Sequence, residues 1–238
     1  DLNSRGMKAY PLTIKPVHVV RKALLKLDDI DTCYELSKAA LELEELTDDT
    51  WFNWRLAKCA NELGEYDEAI DYLKKMIAKK PDWYMKAEIA NSYYFKGDFE
   101  NSLNYAIDAV LTPAPSESKV NVYSLIADLI EDEYPEEALK HRYLEYSIRL
   151  NKEWNIDDRL TEEIENAGLD TENTQYWKIE KELKGFWNDL KYKNQEIQYG
   201  IISKILPHGK AGFIQAEDGK SYYFKKYEFK GSNDELHE

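Results

Sequence analysis

The side chains best suited to chemistry in this sequence are aromatic, asparagine and lysine residues that recur at helical spacing. Residues three, four and three positions apart share one side of a helix. Two such sets occur: Trp51, Trp54, Lys58 and Asn61, and then Tyr84, Ala87, Asn91 and Tyr94. Aromatic rings mixed with amide and ammonium groups suit the binding of an extended peptide or a partner helix. The alternative, that either tryptophan packs in a core, stays open at this point.

Catalytic residues are much harder to find than binding residues. The four histidines are dispersed, and the sequence contains no His-Glu-x-x-His or Cys-x-x-Cys motif. No glycine-rich phosphate loop follows a strand pattern, and acidic runs such as residues 131–133 lack the spacing of a calcium loop. We therefore expect a protein that is not an enzyme and that uses neither a metal ion nor a cofactor.

The helices that carry the two binding sets belong to a repeated pattern. A turn glycine, an aromatic residue and a small residue at positions 64, 66 and 69 return 33 residues later, at positions 97, 99 and 102. Ala57 and Ala90 hold matching places before the turns, and Pro81 and Pro113 follow the second helix of each pair. Small residues let antiparallel helices approach closely, and proline ends a helix. Recurrence at this interval is typical of helix pairs that stack into a solenoid.

In these residues the chain resembles the tetratricopeptide repeat (TPR) family, whose units are helix-turn-helix pairs of about 34 residues. Two units match over residues 50–82 and 83–115. A third, without the turn glycine, opens its second helix at Pro135 and extends the repeats to residue 150. In this family the side that carries Trp51 and Tyr84 lines a concave groove. The resemblance thus implies a protein or peptide partner in that groove.

Helices on either side are expected to complete the array. Residues 1–49 contain apolar residues at helical spacing, interrupted at residues 28–31, which predicts an N-terminal helix pair or cap. Residues 151–196 are predicted to form capping helices, because one apolar stripe is made by Ile179, Leu183, Phe186, Trp187 and Leu190. No apolar run in the sequence approaches the roughly 20 residues that a membrane helix requires.

The pattern changes after residue 196 to that of a small antiparallel β module over residues 197–231. Three strands are predicted, and Asp218-Gly219 is a hairpin turn signal before the last of them. A glycine-led first strand, a Gly-Phe-Ile second strand and an aromatic third strand resemble the first half of the cold-shock family of OB-type barrels. The resemblance implies that Phe213 and Tyr223 stack on the bases of single-stranded RNA or DNA.

The resemblance to the cold-shock family is incomplete. Where the family has aromatic or histidine side chains, this sequence has Ala211, Lys204, Lys225 and Lys226. Each lost stacking platform weakens binding by about 1–3 kcal/mol, and lysine contacts to phosphates recover part of that loss. Three strands before the polar tail of residues 232–238 leave an open sheet edge. A helix or a partner strand would cover it, but the resemblance favours a protein that continues beyond this sequence.

Charge also separates the β module from the rest of the protein. The whole chain has a net charge of −14, which argues against broad affinity for nucleic acids. Residues 197–231 instead hold six lysines against three acidic residues, a local charge of +3 that leaves −17 for the remainder. The candidate phosphate contacts are Lys204, Lys210, Lys225 and Lys226. In the alternative interpretation the lysines only protect exposed strand edges and the aromatic rings belong to the core.

The expected fold is mainly α, a TPR-type helical solenoid followed by a small antiparallel β module. Two functional hypotheses remain. In the first, the protein is a non-enzymatic adaptor that binds a protein partner in the helical groove and single-stranded nucleic acid, RNA by preference, on the β module. In the second, it is a pure protein-interaction scaffold. Cys33 and Cys59 lie on separate predicted helices without paired spacing, which favours a reducing, cytoplasmic location.

Overall fold

The computed structural model describes residues 14–42, 50–193 and 199–226, with the backbone alone at residues 14, 15, 18, 21, 50 and 51. Over these residues the chain forms ten α-helices followed by three β-strands. It divides into two compact units between Lys191 and Tyr192. The mainly helical class and the small antiparallel sheet are both confirmed. Within the described ranges, each helix is too short or too polar to cross a membrane.

The helices follow one another in pairs. Their bounds are α1 (Ile14–Lys26), α2 (Ile30–Leu41), α3 (Thr50–Glu62), α4 (Tyr66–Lys79), α5 (Trp83–Lys96), α6 (Phe99–Leu111), α7 (Val120–Ile130), α8 (Pro135–Asn151), α9 (Asp158–Asn166) and α10 (Tyr176–Tyr192), with a 3-10 turn at Ser116–Lys119. Each helix from α1 to α8 packs against the next one, which is the arrangement of a helical solenoid. The predicted units 50–82 and 83–115 contain α3 with α4 and α5 with α6.

Glycine and aspartate determine the turn between α5 and α6. Gly97 ends α5 with a φ of 83°, the left-handed conformation in which a larger residue is strained. Asp98 accepts a hydrogen bond of 3.2 Å from the backbone nitrogen of Asn101 and so caps the first turn of α6. Gly64 has the same conformation between α3 and α4, with a φ of 79°. The repeated sequence motif thus ends one helix and begins the next in both repeats.

The small residues of the repeat bring paired helices close together. Ala57 and Ala90 are both buried. Ser102 Oγ on α6 donates a hydrogen bond of 2.8 Å to the carbonyl oxygen of Ala90 on α5. These contacts lie in two apolar clusters, one formed by α2–α5 and one by α5–α8 together with α10. Close-packed interiors leave no space for a larger side chain at either alanine.

Helix α10 contacts three earlier helices at once, and of its predicted apolar stripe Ile179, Leu183 and Trp187 are buried while Phe186 and Leu190 are partly buried. Trp187 stacks on Tyr123 of α7, with ring centroids 5.8 Å apart. Its Nε1 donates a hydrogen bond of 2.7 Å to Nε2 of His141 on α8. Lys191 Nζ lies 2.7 Å from the carboxylate of Asp108 on α6. The helix predicted to close the solenoid therefore joins α6, α7 and α8.

The second unit is a three-stranded antiparallel sheet in the order β1 (Gly200–Ile205), β2 (Ala211–Ala216), β3 (Ser221–Lys225). Gly219, with a φ of 80°, lies in the predicted hairpin turn. A one-residue bulge interrupts β1 between Ile202 and Lys204. Many β folds contain three such strands, so the cold-shock resemblance is not confirmed. The predicted polar tail lies outside the described residues.

Candidate functional site

The partner-binding residues predicted on α3 and α5, apart from Trp51, are here called the groove row: Trp54, Lys58, Asn61, Tyr84, Asn91 and Tyr94. Trp54 and Tyr84 meet edge to face, with ring centroids 5.1 Å apart and planes at 78°. Lys58 Nζ lies 5.2 Å from the centroid of the Trp54 ring and 3.3 Å from Glu88 Oε1. All four side chains are partly or largely exposed. Contacts of Trp54, Lys58 and Tyr84 therefore run from α3 to α5, and Glu88, which the sequence did not suggest, lies beside them.

Trp54 belongs to both the core and the surface. One part of its ring packs against the apolar cluster of α2–α5, and the rest stays accessible to solvent. The core alternative is thus correct for only part of this side chain. The corresponding question for Trp51 stays open, because its side chain lies outside the described residues.

The other members of the groove row are two half-buried amides and a tyrosine. Asn61 Oδ1 is buried and accepts no hydrogen bond from the described residues, which is a costly state for a polar atom. Asn91 is half-buried. The Tyr94 ring contacts those of Phe95 and Phe99, at centroid distances of 5.7 and 5.6 Å. Tyr94 is therefore a member of the groove row that also contacts a second group of aromatic rings.

Charged side chains of both signs flank the aromatic pair. Burial, and then the charge of the nearby Asp82 carboxylate and a hydrogen bond to it, raise the pKa of Tyr84. Asp82 is paired with Lys80 at 2.8 Å. On the other side, Lys58 is shared between an aromatic face and Glu88. The groove row thus offers hydrogen-bonding and apolar groups, and the charged side chains beside them are already paired with one another.

In the β unit, four of the six predicted nucleic-acid-binding residues lie on one face of the sheet. Lys204, Phe213 and Tyr223 stand opposite one another on the three strands and are here called the strand row. The two rings meet with centroids 5.6 Å apart. Lys225 occupies the next place on the same face, opposite Ala211. Two cations and two aromatic rings therefore share one surface.

Lys210 and Lys226 lie at the margin of the sheet instead. The backbone nitrogen of Lys226 donates a hydrogen bond of 2.8 Å to the carbonyl oxygen of Lys210. Alternation along the strands assigns both residues to the side of Phe224, opposite that of Tyr223. The structure therefore does not bring these two lysines together with Phe213.

A further group of aromatic rings lies where the turns of two repeats meet, and Phe95 is the member that the sequence patterns did not single out. Tyr66 and Phe95 stack with centroids 6.2 Å apart and planes at 18°, and Tyr94 contacts both Phe95 and Phe99. These four residues are here called the aromatic edge. The aromatic edge could have been recognised from the aromatic residues at consecutive positions 94 and 95. Consecutive residues point in different directions from a helix, so Tyr94 and Phe95 cannot both lie on the groove side.

The most perturbed histidine has a structural role. His141 is buried, its Nδ1 lies 2.7 Å from the carbonyl oxygen of Glu137, and its Nε2 accepts the hydrogen bond from Trp187. Burial lowers the pKa of His141 to about 4, so the imidazole stays neutral near pH 7. Across the residues that the structure describes, no three His, Cys, Asp or Glu side chains are grouped so as to hold a metal ion.

Three solved structures of MamA, a helical repeat protein of the TPR type, have a similar fold. A MamA double mutant (RS-1 ArsTM) matches with a TM-score of 0.54 at 13% identity, over 76% of this chain and 99% of that one. MamA from position 41 to its end, from Desulfovibrio magneticus RS-1, matches with 0.54 at 12% identity, over 79% and 100%. A further MamA crystal structure matches with 0.51 at 15% identity, over 78% and 98%.

Sequence comparisons give no closer assignment. No protein-family model matches the chain, and no curated protein matches it either. Identities as low as those to MamA show a shared fold and leave function to be argued from the site. The helical unit is therefore a helical solenoid with a fold similar to that of MamA, and a small three-stranded antiparallel sheet follows it in the chain.

Proposed function

We propose that this protein is a non-enzymatic scaffold that binds a protein partner, as an extended peptide or a helix, on its groove row. The observation that carries the proposal is the continuity of Trp54, Lys58 and Tyr84 across two repeats. Tryptophan and tyrosine are frequent hot spots of protein interfaces. The TPR-like fold supports the proposal, because stacked helix pairs present extended binding surfaces.

The polar members of the groove row indicate what kind of ligand would bind. Asn61 and Asn91 each offer a half-buried amide. Both suit a peptide backbone, which carries donors and acceptors at regular spacing. Lys58 is already paired with Glu88, so an acidic ligand would have to displace that carboxylate. We therefore expect a ligand with apolar anchors and an accessible backbone.

Selection of peptides from a random display library against the full chain tests the scaffold proposal. Selected peptides should bind Trp54→Ala about tenfold or more weakly than the wild type, the loss typical of a hot-spot ring. Trp177→Ala is the matched control, because it removes a ring on α10 that is 53% exposed, and it should leave affinity unchanged. Circular dichroism verifies that both variants are folded. Equal affinity for Trp54→Ala and wild type, or no enriched peptides, would contradict the proposal.

A second function, binding of single-stranded nucleic acid, is favoured by one observation on the β unit. The strand row combines a possible phosphate contact at Lys204 with stacking rings at Phe213 and Tyr223. In this version of the proposal the protein is an adaptor that also contacts RNA. If the strand row binds no nucleic acid, the β unit serves assembly and the protein is a scaffold alone.

Two neighbouring tyrosines make the nucleic-acid test specific. Tyr222 and Tyr223 lie on opposite faces of β3 and are 43% and 53% exposed. Binding of a labelled oligouridine should weaken with salt, with a log-log slope of about −0.7 per phosphate contact. Tyr223→Ala should weaken it about tenfold or more, and Tyr222→Ala should not. No binding at low salt, or the same loss in both variants, would contradict RNA binding by this face.

The cytoplasmic location expected from the spacing of Cys33 and Cys59 forms part of the proposal. Cell fractionation followed by antibody detection tests it. Recovery of the protein from an extracellular or other oxidising compartment would contradict it.

A further inference from the structure

A second surface of the helical unit is both apolar and exposed. It is the aromatic edge, formed by Tyr66, Tyr94, Phe95 and Phe99. Phe95 and Phe99 are 64% and 57% exposed, although phenylalanine is among the residues most often buried. Scattered exposed apolar residues need no explanation, but contiguous ones mark interaction sites. The aromatic edge is therefore a candidate interaction site.

Contacts between the two repeats hold the aromatic edge in place. Tyr66, at the start of α4, stacks on Phe95 near the end of α5. Beside them, Lys96 forms an ion pair with Asp67. Both contacts join the α3–α4 turn to the α5–α6 turn. A ligand would thus meet a preformed platform and would lose less entropy in ordering it.

Acidic side chains surround the rings. Residues 62–67 and 95–100 contain one lysine and five acidic residues, a net charge of −4: Glu62, Glu65, Asp67, Asp98 and Glu100. Four of the five are exposed, and Asp98 is partly exposed. Hydrogen bonds from the side chain and backbone of Asn101 hold the pKa of Asp98 below its usual range, so it stays charged. The single lysine, Lys96, is already paired with Asp67, which leaves the surface acidic.

We propose that the aromatic edge binds a positively charged segment of a partner protein, one that carries arginine beside apolar residues. A guanidinium group is attracted to aromatic faces and to carboxylates, so both features of this surface would recognise the same ligand side chain. Apolar neighbours in the segment would cover Phe95 and Phe99. Acidic segments would be repelled. This site is separate from Trp54 and Lys58, and Tyr94 belongs to both surfaces.

Fluorescence anisotropy with two labelled peptides tests the inference on the full chain. One peptide alternates arginine with leucine, and the other has glutamate in place of every arginine. The arginine peptide should bind and the glutamate peptide should not. The double variant Phe95→Ala, Phe99→Ala should bind the arginine peptide about tenfold more weakly, because two ring contacts are lost without any change in charge. Both rings are exposed, so this variant should remain folded.

A second double variant controls for general attraction between a basic peptide and an acidic protein. Trp154→Ala, Trp177→Ala removes two other rings, which are 44% and 53% exposed, and should bind the arginine peptide like the wild type. Equal binding by the wild type and the Phe95, Phe99 variant would overturn the inference. It would also be overturned if Trp54→Ala alone weakened binding, because the peptide would then lie on the groove row.

Discussion

The indole nitrogen of Trp187 donates a hydrogen bond of 2.7 Å to Nε2 of His141 in the buried contact between α10 and α8. This bond selects one form of the imidazole, in which Nε2 accepts and Nδ1 donates to the carbonyl oxygen of Glu137 at 2.7 Å. The pair joins the last repeat to the helix that closes the array. Its burial has consequences for the stability of the helical unit.

Acid should destabilise the helical unit through His141. Burial lowers the pKa of this histidine to about 4 in the folded protein, whereas in an unfolded chain it is about 6.5. The unfolded state therefore takes up the proton first. Stability is retained above pH 6.5 and decreases as the pH falls from 6.5 toward 4, by about 2–3 kcal/mol for this group. Urea unfolding at pH 7 and at pH 4.5 measures the loss.

The variant His141→Gln separates this effect from the titration of carboxylates. Glutamine can still accept a hydrogen bond from the indole but does not titrate in this range. Its free energy of unfolding should decrease less between pH 7 and pH 4.5 than that of the wild type. Identical decreases in the two proteins would show that His141 is not the titrating group.

The two tryptophans of α10 should differ in their effect on stability. Trp187 is fully buried, with 0% exposure, and Trp177 is 53% exposed. Trp187→Ala should lower the free energy of unfolding by about 3–5 kcal/mol, whereas Trp177→Ala should change it by about 0.5 kcal/mol or less. Urea unfolding compares them. Equal stabilities would show that α10 does not pack on α7 and α8 in solution.

Two glycines should respond to alanine in opposite directions. Gly97 has a φ of 83°, so Gly97→Ala should cost about 1 kcal/mol of backbone strain. Gly185 lies inside α10, and an added Cβ would meet no atom within 4 Å. Gly185→Ala should therefore stabilise the protein by about 0.5–1 kcal/mol. Thermal unfolding of both variants tests the pair, and shifts of the same sign would contradict it.

Ala90 should tolerate no larger side chain. It is fully buried, and its carbonyl oxygen accepts the 2.8 Å hydrogen bond from Ser102 on the adjacent helix. Ala90→Leu should cost about 1–3 kcal/mol through overpacking. Ala78→Leu, on an exposed position of α4, is the matched control and should be nearly neutral. A well-tolerated Ala90→Leu would mean that α5 and α6 are not closely packed at this point.

The paired helices could be predicted because their determinants are local. Gly97 ends one helix and Asp98 begins the next, and each acts within a few residues of itself. The partners of α10 could not be predicted in the same way. Its apolar stripe indicates an amphipathic helix, but His141, which Trp187 contacts, lies 46 residues earlier. No periodicity within the helix identifies a contact at that distance in sequence.

The same distinction between local and distant determinants applies to the candidate sites. The spacing of residues within α3 and within α5 predicted the sides on which Trp54 and Tyr84 lie, because helix geometry determines which positions share a side. On β1, the bulge before Lys204 decides which residue stands opposite Phe213. Without it, Ser203 would take that place. The charge of Lys204 and its place in the cold-shock resemblance suggested a phosphate contact, but its position opposite Phe213 depends on an irregularity that the sequence does not signal.

Helix α10 should also affect the order in which the repeats unfold. In a solenoid whose units contact only their neighbours, helix pairs can unfold one after another. Trp187 and Lys191 instead join α6, α7 and α8 through one helix. We expect hydrogen exchange to show α6 to α10 opening as a single cooperative block, with α1 and α2 opening earlier. The groove row on α3 and α5 would then lie between an end of low local stability and an end of high local stability.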